Sequence, residues 1–288
     1  MVKISFIGLG VMGFPMAGHL AAAGNAVTVY NRTPSKAAAW VAQHGGASAP
    51  TPAAAADGAD VVITCVGNDD DLRAVTLGPD GAFAALRSGA LFIDHTTVSA
   101  EIARELTDAG AAREVLVLDA PVSGGQAGAE NGQLTIMCGG APEAFAAAEP
   151  VMAAYAKRSG HMGPAGSGQL TKMVNQIAIA GVLEGLAEAV HFALSAGLDA
   201  DAVIDVISKG AAQSWQMDNR AATMAAGKFD FGFAVDWMRK DLGLVLGEAK
   251  RLGISLPATA LIDQFYGDVQ AMGGRRLDTS SLIRRFRP

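Results

Sequence analysis

Cysteine is scarce in this sequence: its 288 residues contain two, Cys65 and Cys138. Both sit in apolar runs, with no C-x-x-C pair and no His/Cys cluster at zinc-ligand spacing. A disulfide framework and a metal site are therefore not expected, and two buried thiols in a reducing compartment are. A basic excess is also missing. Lys+Arg number 22 against 28 Asp+Glu, a formal charge of -6, which offers no cationic face to nucleic acid. The one dense basic run, Arg284, Arg285 and Arg287, reads as a solvated tail. Long uncharged runs are rare. The longest, residues 37–56, is broken by Gly, Pro, His and Gln, and does not read as a membrane helix. The opening Met-Val-Lys-Ile-Ser-Phe-Ile-Gly reads as a strand start and not a signal peptide. A cytoplasmic protein without membrane or nucleic-acid partners is the expectation. No internal repeat and no low-complexity linker is visible.

What is present is apolar material. Half of the residues are hydrophobic and 17% are charged, the opposite of a disordered composition. The length suits one large domain or two ordinary ones. In the first half, short apolar runs at 3–7, 26–30, 60–66, 90–94, 115–119 and 134–138 alternate with alanine-rich helical stretches such as 12–23 and 34–44. Strands alternating with helices predict βαβ units and a largely parallel sheet. The texture changes at Gly163-Pro-Ala-Gly-Ser-Gly168, the most loop-like segment in mid-chain. Beyond it the spacing predicts only helices: one long apolar helix over 169–196, then 199–209, 236–251, 257–271 and 279–286. The expected division is 1–164, an α/β domain, and 165–288, an all-α domain.

Gly8-Leu9-Gly10-Val11-Met12-Gly13 follows the first strand and opens the first helix. Glycines there allow a tight turn, close backbone approach to a pyrophosphate and close helix–strand packing, with the helix N-terminus facing the negative charge. The context makes this a dinucleotide site. The second strand ends in Asn31-Arg32-Thr33, where NAD-selective folds carry an acidic residue for the ribose 2′-OH. Without a carboxylate in that run, Arg32 is free to clamp the 2′-phosphate of NADP, with Thr33 and Ser35 as hydroxyl donors. NADP is expected in preference to NAD.

Four segments carry a family likeness. Phe6-Ile-Gly-Leu-Gly-Val-Met-Gly-Phe-Pro-Met16 resembles the opening signature of the β-hydroxyacid dehydrogenases. Asp119-Ala-Pro-Val-Ser-Gly-Gly125, Gly168-Gln-Leu-Thr-Lys-Met-Val-Asn-Gln176 and Lys240-Asp-Leu-Gly243 follow in that family's order and extend the likeness over nearly the whole chain. The family includes 3-hydroxyisobutyrate dehydrogenase, tartronate semialdehyde reductase, and the glyoxylate and succinic semialdehyde reductases. The resemblance implies a Rossmann domain followed by a helical domain, an active site between them, and oxidoreduction of a short hydroxy acid.

By spacing, Gln169, Lys172, Asn175 and Gln176 share one face of an otherwise apolar helix. Lys172 is the expected general acid/base, since hydride transfer to a carbonyl leaves an oxygen that needs a proton, and an apolar setting brings a lysine toward neutrality. The resemblance assigns Lys172 that role and gives Asn175 and Gln176 to the substrate. Ser123-Gly124-Gly125 lies where backbone N–H groups converge on an anion, and the resemblance makes a substrate carboxylate that anion. On spacing alone Lys240 belongs with Asp236, Arg239 and Asp241 to a solvated face. The resemblance instead brings Lys240 to the nicotinamide end of the cofactor, along with Thr97, while Val66 opens a turn at the cofactor edge. That turn, Gly67-Asn68, departs from the family's Leu-Pro. His95 reads as local structure, because no Ser or Asp sets up a triad. Trp215, Phe231, Phe233 and Trp237 read mostly as core.

Two other readings compete with the dehydrogenase. An imine reductase shares the two-domain plan but carries another residue at the lysine position. A cofactor-binding module without catalysis would dispense with Lys172 and Asn175. The sequence leaves the substrate open among 3-hydroxyisobutyrate, serine, threonine, tartronate semialdehyde, glyoxylate and succinic semialdehyde. The length and apolarity of the 169–196 helix predict a homodimer or homotetramer joined through the helical domain.

Overall fold

Apolar runs rich in Val and Ile form the strands of one mixed sheet. The computed structural model describes residues 1–286. The first part of the chain runs β1 (Lys3–Ile7), α1 (Gly13–Ala22), β2 (Ala26–Tyr30), α2 (Pro34–His44), β3 (Ala47–Ser48), α3 (Pro52–Ala56), β4 (Val61–Thr64) and α4 (Asp69–Thr76). It continues β5 (Leu91–Asp94), α5 (Ala100–Ala111), β6 (Leu116–Asp119), β7 (Val122–Ser123), α6 (Gly125–Glu130), β8 (Leu134–Gly140), α7 (Pro142–Met152) and β9 (Ala156–Gly163). The sheet order is β3-β2-β1-β4-β5-β6-β8-β7, with β9 on β8. From β3 through β6 every pairing is parallel, and β8 lies antiparallel to β6 and β7. Every residue of β4 and β5 is buried, as expected for parallel strands with helices on both faces. The chain reverses its progress across the sheet between β1 and β4. At such a switch point the carboxyl ends of the strands leave a crevice for a ligand.

Three strands escaped the sequence reading. β3 and β7 have two residues each, too few for a period to show. β9 reads Ala-Lys-Arg-Ser-Gly-His-Met-Gly and carries exposed Lys157 and Arg158, so its edge position hides it from a search for apolar runs. Cys138 is buried, and burial pushes its thiol up to about 12, while Cys65 is half-buried, and no disulfide joins them. The expectation of two buried thiols therefore holds for Cys138 alone.

The second part is helical: α8 (Ser167–Ser195), α9 (Ala200–Ile207), α10 (Trp215–Ala225), α11 (Val235–Leu252), α12 (Pro257–Ala271) and a 3-10 turn at Thr279–Phe286. Chain contacts divide the molecule into compact units Met1–Lys172 and Met173–Pro288, so the division falls inside α8 rather than in the glycine-rich segment before it. The core of the second unit includes Leu183, Leu186 and Val190 of α8, Met238 and Leu242 of α11, and Tyr266 of α12. α8 is long and apolar enough to cross a membrane by length and composition, but its buried Ala180, Leu183, Leu186, Ala187 and Val190 belong to this core. The sequence reading passed over α10, which is rich in polar residues and capped by Ser214 accepting from the Met217 N–H.

Three expectations about this unit are corrected. Arg285 is not a solvated tail residue: its Nη1 donates to buried Glu184 at 2.8 Å, and Arg287 lies outside the described residues. The polar residues of α11 are not a solvated face. Asp241 is buried, Arg239 makes a two-pronged bond to Asp263 (3.0 and 3.1 Å), and Asp236 accepts from Gln270. None of the four aromatics is buried. Trp215 and Trp237 are exposed, Phe231 and Phe233 are half-buried, and Arg220 lies over the rings of Trp215 and Phe231.

Candidate cofactor and proton-transfer site

The three glycines of the first turn answer different demands. Gly8 adopts φ +103°, and a Cβ there would lie 2.2 Å from the carbonyl oxygen of Cys65. At Gly13 a Cβ would meet the Gly8 carbonyl at 2.0 Å, so this glycine lets α1 pack onto β1. Gly10 is different: a Cβ there would meet nothing within 4 Å. Packing does not explain its glycine, whereas close approach by a pyrophosphate does. The first turn of α1 has no carboxylate and no side-chain cap, so no acidic side chain of its own repels an anion at this helix start. These residues fit a dinucleotide.

At the end of β2, Asn31 braces this turn. Its Oδ1 accepts from the Leu9 N–H at 2.9 Å and its Nδ2 donates to the Thr33 carbonyl at 3.1 Å. Arg32 is exposed and its Nη1 lies 2.7 Å from Asp71 Oδ1, a partner 39 residues further along the chain that no local motif singles out. Thr33 stands at the start of α2 with no side-chain capping bond.

Two buried carboxylates lie at the carboxyl edge of the sheet. Asp94 and Asp119 end β5 and β6 and are paired in register. Asp94 Oδ1 accepts from the hydroxyls of Thr64 (2.7 Å) and Thr96 (2.6 Å) and from the Thr96 N–H. The Thr96 hydroxyl oxygen in turn accepts from the Val66 N–H at 3.1 Å, which ties the Val66 turn to the Thr97 turn. Desolvation lifts Asp94 to about 7, with the Thr hydroxyls opposing and Asp119 adding to the rise. His95 is buried beside them. Its Nδ1 donates to the Ala120 carbonyl at 2.6 Å, so Nε2 accepts from the Tyr155 hydroxyl at 2.8 Å. Burial brings it down to about 4, and it stays neutral.

Asp119 pins the start of α8. Its Oδ1 accepts from the Gly166 N–H at 2.7 Å and its Oδ2 from the Gln169 N–H at 2.9 Å. Desolvation raises it to about 6 against these bonds. Gly168 must be glycine, since a Cβ would lie 2.5 Å from the Met137 carbonyl and 2.6 Å from that of Asp119. Gln169 then grips the 96–98 turn from both sides: Nε2 donates to the Thr96 carbonyl (2.8 Å) and Oε1 accepts from the Val98 N–H (3.1 Å). Lys172 is buried one turn further on, on the same face of the helix. Half-buried Thr97 lies between the two gripped residues. Asp119 and Gln169 were present in the sequence motifs without these roles. The signal was a carboxylate ending an apolar strand, and it recurs at Asp94.

In the second unit, Asn175 Nδ2 donates to Gln176 Oε1 (2.9 Å) and Gln176 Nε2 to Asp241 Oδ2 (2.6 Å). Lys240 Nζ lies 3.0 Å from Asp241 Oδ1. One polar chain thus joins three of the predicted residues to Asp241, and Gln176 is buried within it. Ser123 ends β7, and Gly124 and Gly125 are exposed with φ +131° and +61°. Those angles alone require glycine. Among the described residues no cluster of three His, Cys, Asp or Glu is placed to hold a metal.

A switch-point sheet with an open glycine turn defines a dinucleotide-binding protein, and the comparisons narrow the class. Residues 3–163 match the NAD binding domain of 6-phosphogluconate dehydrogenase, and residues 166–286 match the NAD-binding region of NADP-dependent 3-hydroxyisobutyrate dehydrogenase. An uncharacterized oxidoreductase of Shewanella frigidimarina is 62% identical over 99% of this chain and 98% of its own. The 3-hydroxyisobutyrate dehydrogenase of Pseudomonas aeruginosa is 33% identical over 100% of this chain and 99% of its own. Among solved structures, Mycobacterium tuberculosis 3-hydroxyisobutyrate dehydrogenase with L-serine is 34% identical, covers 100% of both chains and has a TM-score of 0.90. The chain belongs to the β-hydroxyacid dehydrogenase family and is an NAD(P)-dependent oxidoreductase of hydroxy acids.

Proposed function

We propose that this chain interconverts a small β-hydroxy acid of the 3-hydroxyisobutyrate kind and its semialdehyde, with NADP preferred to NAD and Lys172 as the general acid/base. The observation that carries this reading is the mounting of Lys172. It is a buried lysine on a helix whose first turn is capped by Asp119 and locked by Gln169 to the turn that holds Thr97. The rigid mounting suits a group that must meet one substrate atom.

The cofactor supplies or accepts the hydride. Lys172 Nζ gives a proton to the substrate oxygen during reduction and takes one during oxidation. The Gly8–Gly13 turn and the open start of α1 hold the pyrophosphate, Arg32 and Thr33 meet the adenosine ribose with its 2′-phosphate, and Val66, Thr97 and Lys240 serve the remainder of the cofactor. Ser123, Gly124 and Gly125 offer hydrogen bonds to the substrate carboxylate. Asn175 and Gln176 orient the substrate, steadied by Asp241.

The proposed assembly is a homodimer or homotetramer through α8. This helix has 29 residues, about 40 Å at 1.5 Å per residue. Val174, Ala178, Gly181, Val182, Gly185 and Phe192 recur at helical spacing and are exposed, with Phe192 72% exposed. An apolar stripe of that length suits a second copy. The proposed location is the cytoplasm.

A panel of 3-hydroxyisobutyrate, serine, threonine, tartronate semialdehyde, glyoxylate and succinic semialdehyde, each with both cofactors, tests the function. Formation or loss of reduced nicotinamide with at least one, at a higher kcat/KM with NADP, is the expected result. Silence across the panel would overturn the proposal.

A further inference from the structure

We infer that Asp71 sets the choice between NADP and NAD, by holding Arg32 and opposing a 2′-phosphate. The inference rests on the reading of Arg32 as the 2′-phosphate contact. The residue that sequence rules use for this choice lies at the end of β2. There Asn31 is committed to the Leu9 N–H and the Thr33 carbonyl, and is not available to discriminate. The discriminating carboxylate comes instead from α4, a different element.

Three aspartates open α4, and their surroundings separate them. Asp69 accepts from the backbone N–H and hydroxyl of Ser99. Asp70 is almost fully exposed and lies 3.7 Å from Arg73. Asp71 faces the end of β2, where its Oδ1 accepts from Arg32 Nη1 at 2.7 Å. Its own backbone N–H donates to the capping Asn68 at 2.8 Å, which anchors Asp71 in the first turn of α4, and its side chain is 29% exposed against 83% for Arg32. A 2′-phosphate that recruits Arg32 must take it from this carboxylate, and then sits beside its negative charge. A ribose 2′-OH meets no such penalty, and a carboxylate is its usual acceptor. Asp71 therefore moderates the preference that Arg32 creates, and the chain uses both cofactors.

Equilibrium titration of each oxidised cofactor, followed by calorimetry without substrate, tests this on the wild type, Asp71→Asn and Arg32→Ala. Exposed ion pairs are weak, so Asp71→Asn is expected to tighten NADP+ by about three- to tenfold while NAD+ does not tighten. The gain shrinks as ionic strength rises from about 0.01 M to 1 M, where the screening length falls from about 30 to 3 Å. Arg32→Ala weakens NADP+ and spares NAD+. If Asp71→Asn leaves NADP+ unchanged or weakens it while Arg32→Ala still costs NADP+ affinity, the role of Asp71 is overturned and that of Arg32 stands. If Arg32→Ala leaves NADP+ binding unchanged, both readings fall.

Discussion

Asp94 and Asp119 show how much of this site is decided by single buried side chains. They sit in register on neighbouring strands, each ending an apolar run, and each held against desolvation by hydrogen bonds. Desolvation raises both, Asp94 to about 7 and Asp119 to about 6. An unfolded aspartate titrates near 3.9, so these two carboxyls bind more protons in the folded chain than in the unfolded one, Asp119 up to about pH 6 and Asp94 up to about pH 7. Their contribution to stability therefore falls as pH rises through that window and levels off above it, while neutral His95 contributes in the opposite sense. Asp94→Asn removes one of these groups and keeps an oxygen for the Thr64 and Thr96 hydroxyls. Relative to wild type, the variant is expected to gain on the order of a few kcal/mol in chemical denaturation on going from pH 5 to pH 8. A wild-type-minus-variant difference that does not change with pH would contradict the burial argument.

Among the elements, α8 carries the proposed proton donor, and the sequence revealed its length but not its mounting. The long apolar run and the missing strand signals made the helix legible to within two residues of its start, and Lys172 stood out as a polar residue on an apolar helix. Two things were hidden. Gly163-Pro-Ala-Gly-Ser-Gly168 looked like a loosely built loop, yet β9 runs through Gly163 and α8 starts at Ser167. Glycine at 168 serves close approach to β6 and β8 and not flexibility. The four polar residues of one face also proved to have different jobs: Gln169 locks a turn and Gln176 joins Asp241, because a hydrogen-bond partner distant in sequence cannot be read from spacing. The same limit made the polar residues of α11 look solvated. Gly168→Ala separates packing from helix propensity. Alanine favours a helix over glycine by about 0.5–1 kcal/mol, so a loop or propensity role predicts a higher melting temperature. The Met137 and Asp119 carbonyls predict the reverse, a lower melting temperature together with a loss of kcat.

At the scale of the whole molecule, the doubly wound sheet followed by a helical unit was legible from alternating runs, and the cofactor end from the glycine turn. The short strands, the edge strand and the exposed aromatics were not, since none leaves a periodic trace. The apolar stripe along α8 carries the proposed assembly. Light scattering at micromolar concentration is expected to give at least twice the 29.3 kDa of one chain, and Gly181→Glu with Phe192→Glu is expected to bring the mass down to that value. A wild-type mass near 29.3 kDa would contradict the interface. The proton of the reaction is proposed to pass through Lys172. Single-turnover hydride transfer by Lys172→Ala, measured beside NADP+ affinity, is the test. A general acid/base contributes about 10²–10⁴-fold, so the transfer rate is expected to fall by that factor while the affinity stays within about twofold. A variant that transfers hydride at the wild-type rate would remove Lys172 from the mechanism.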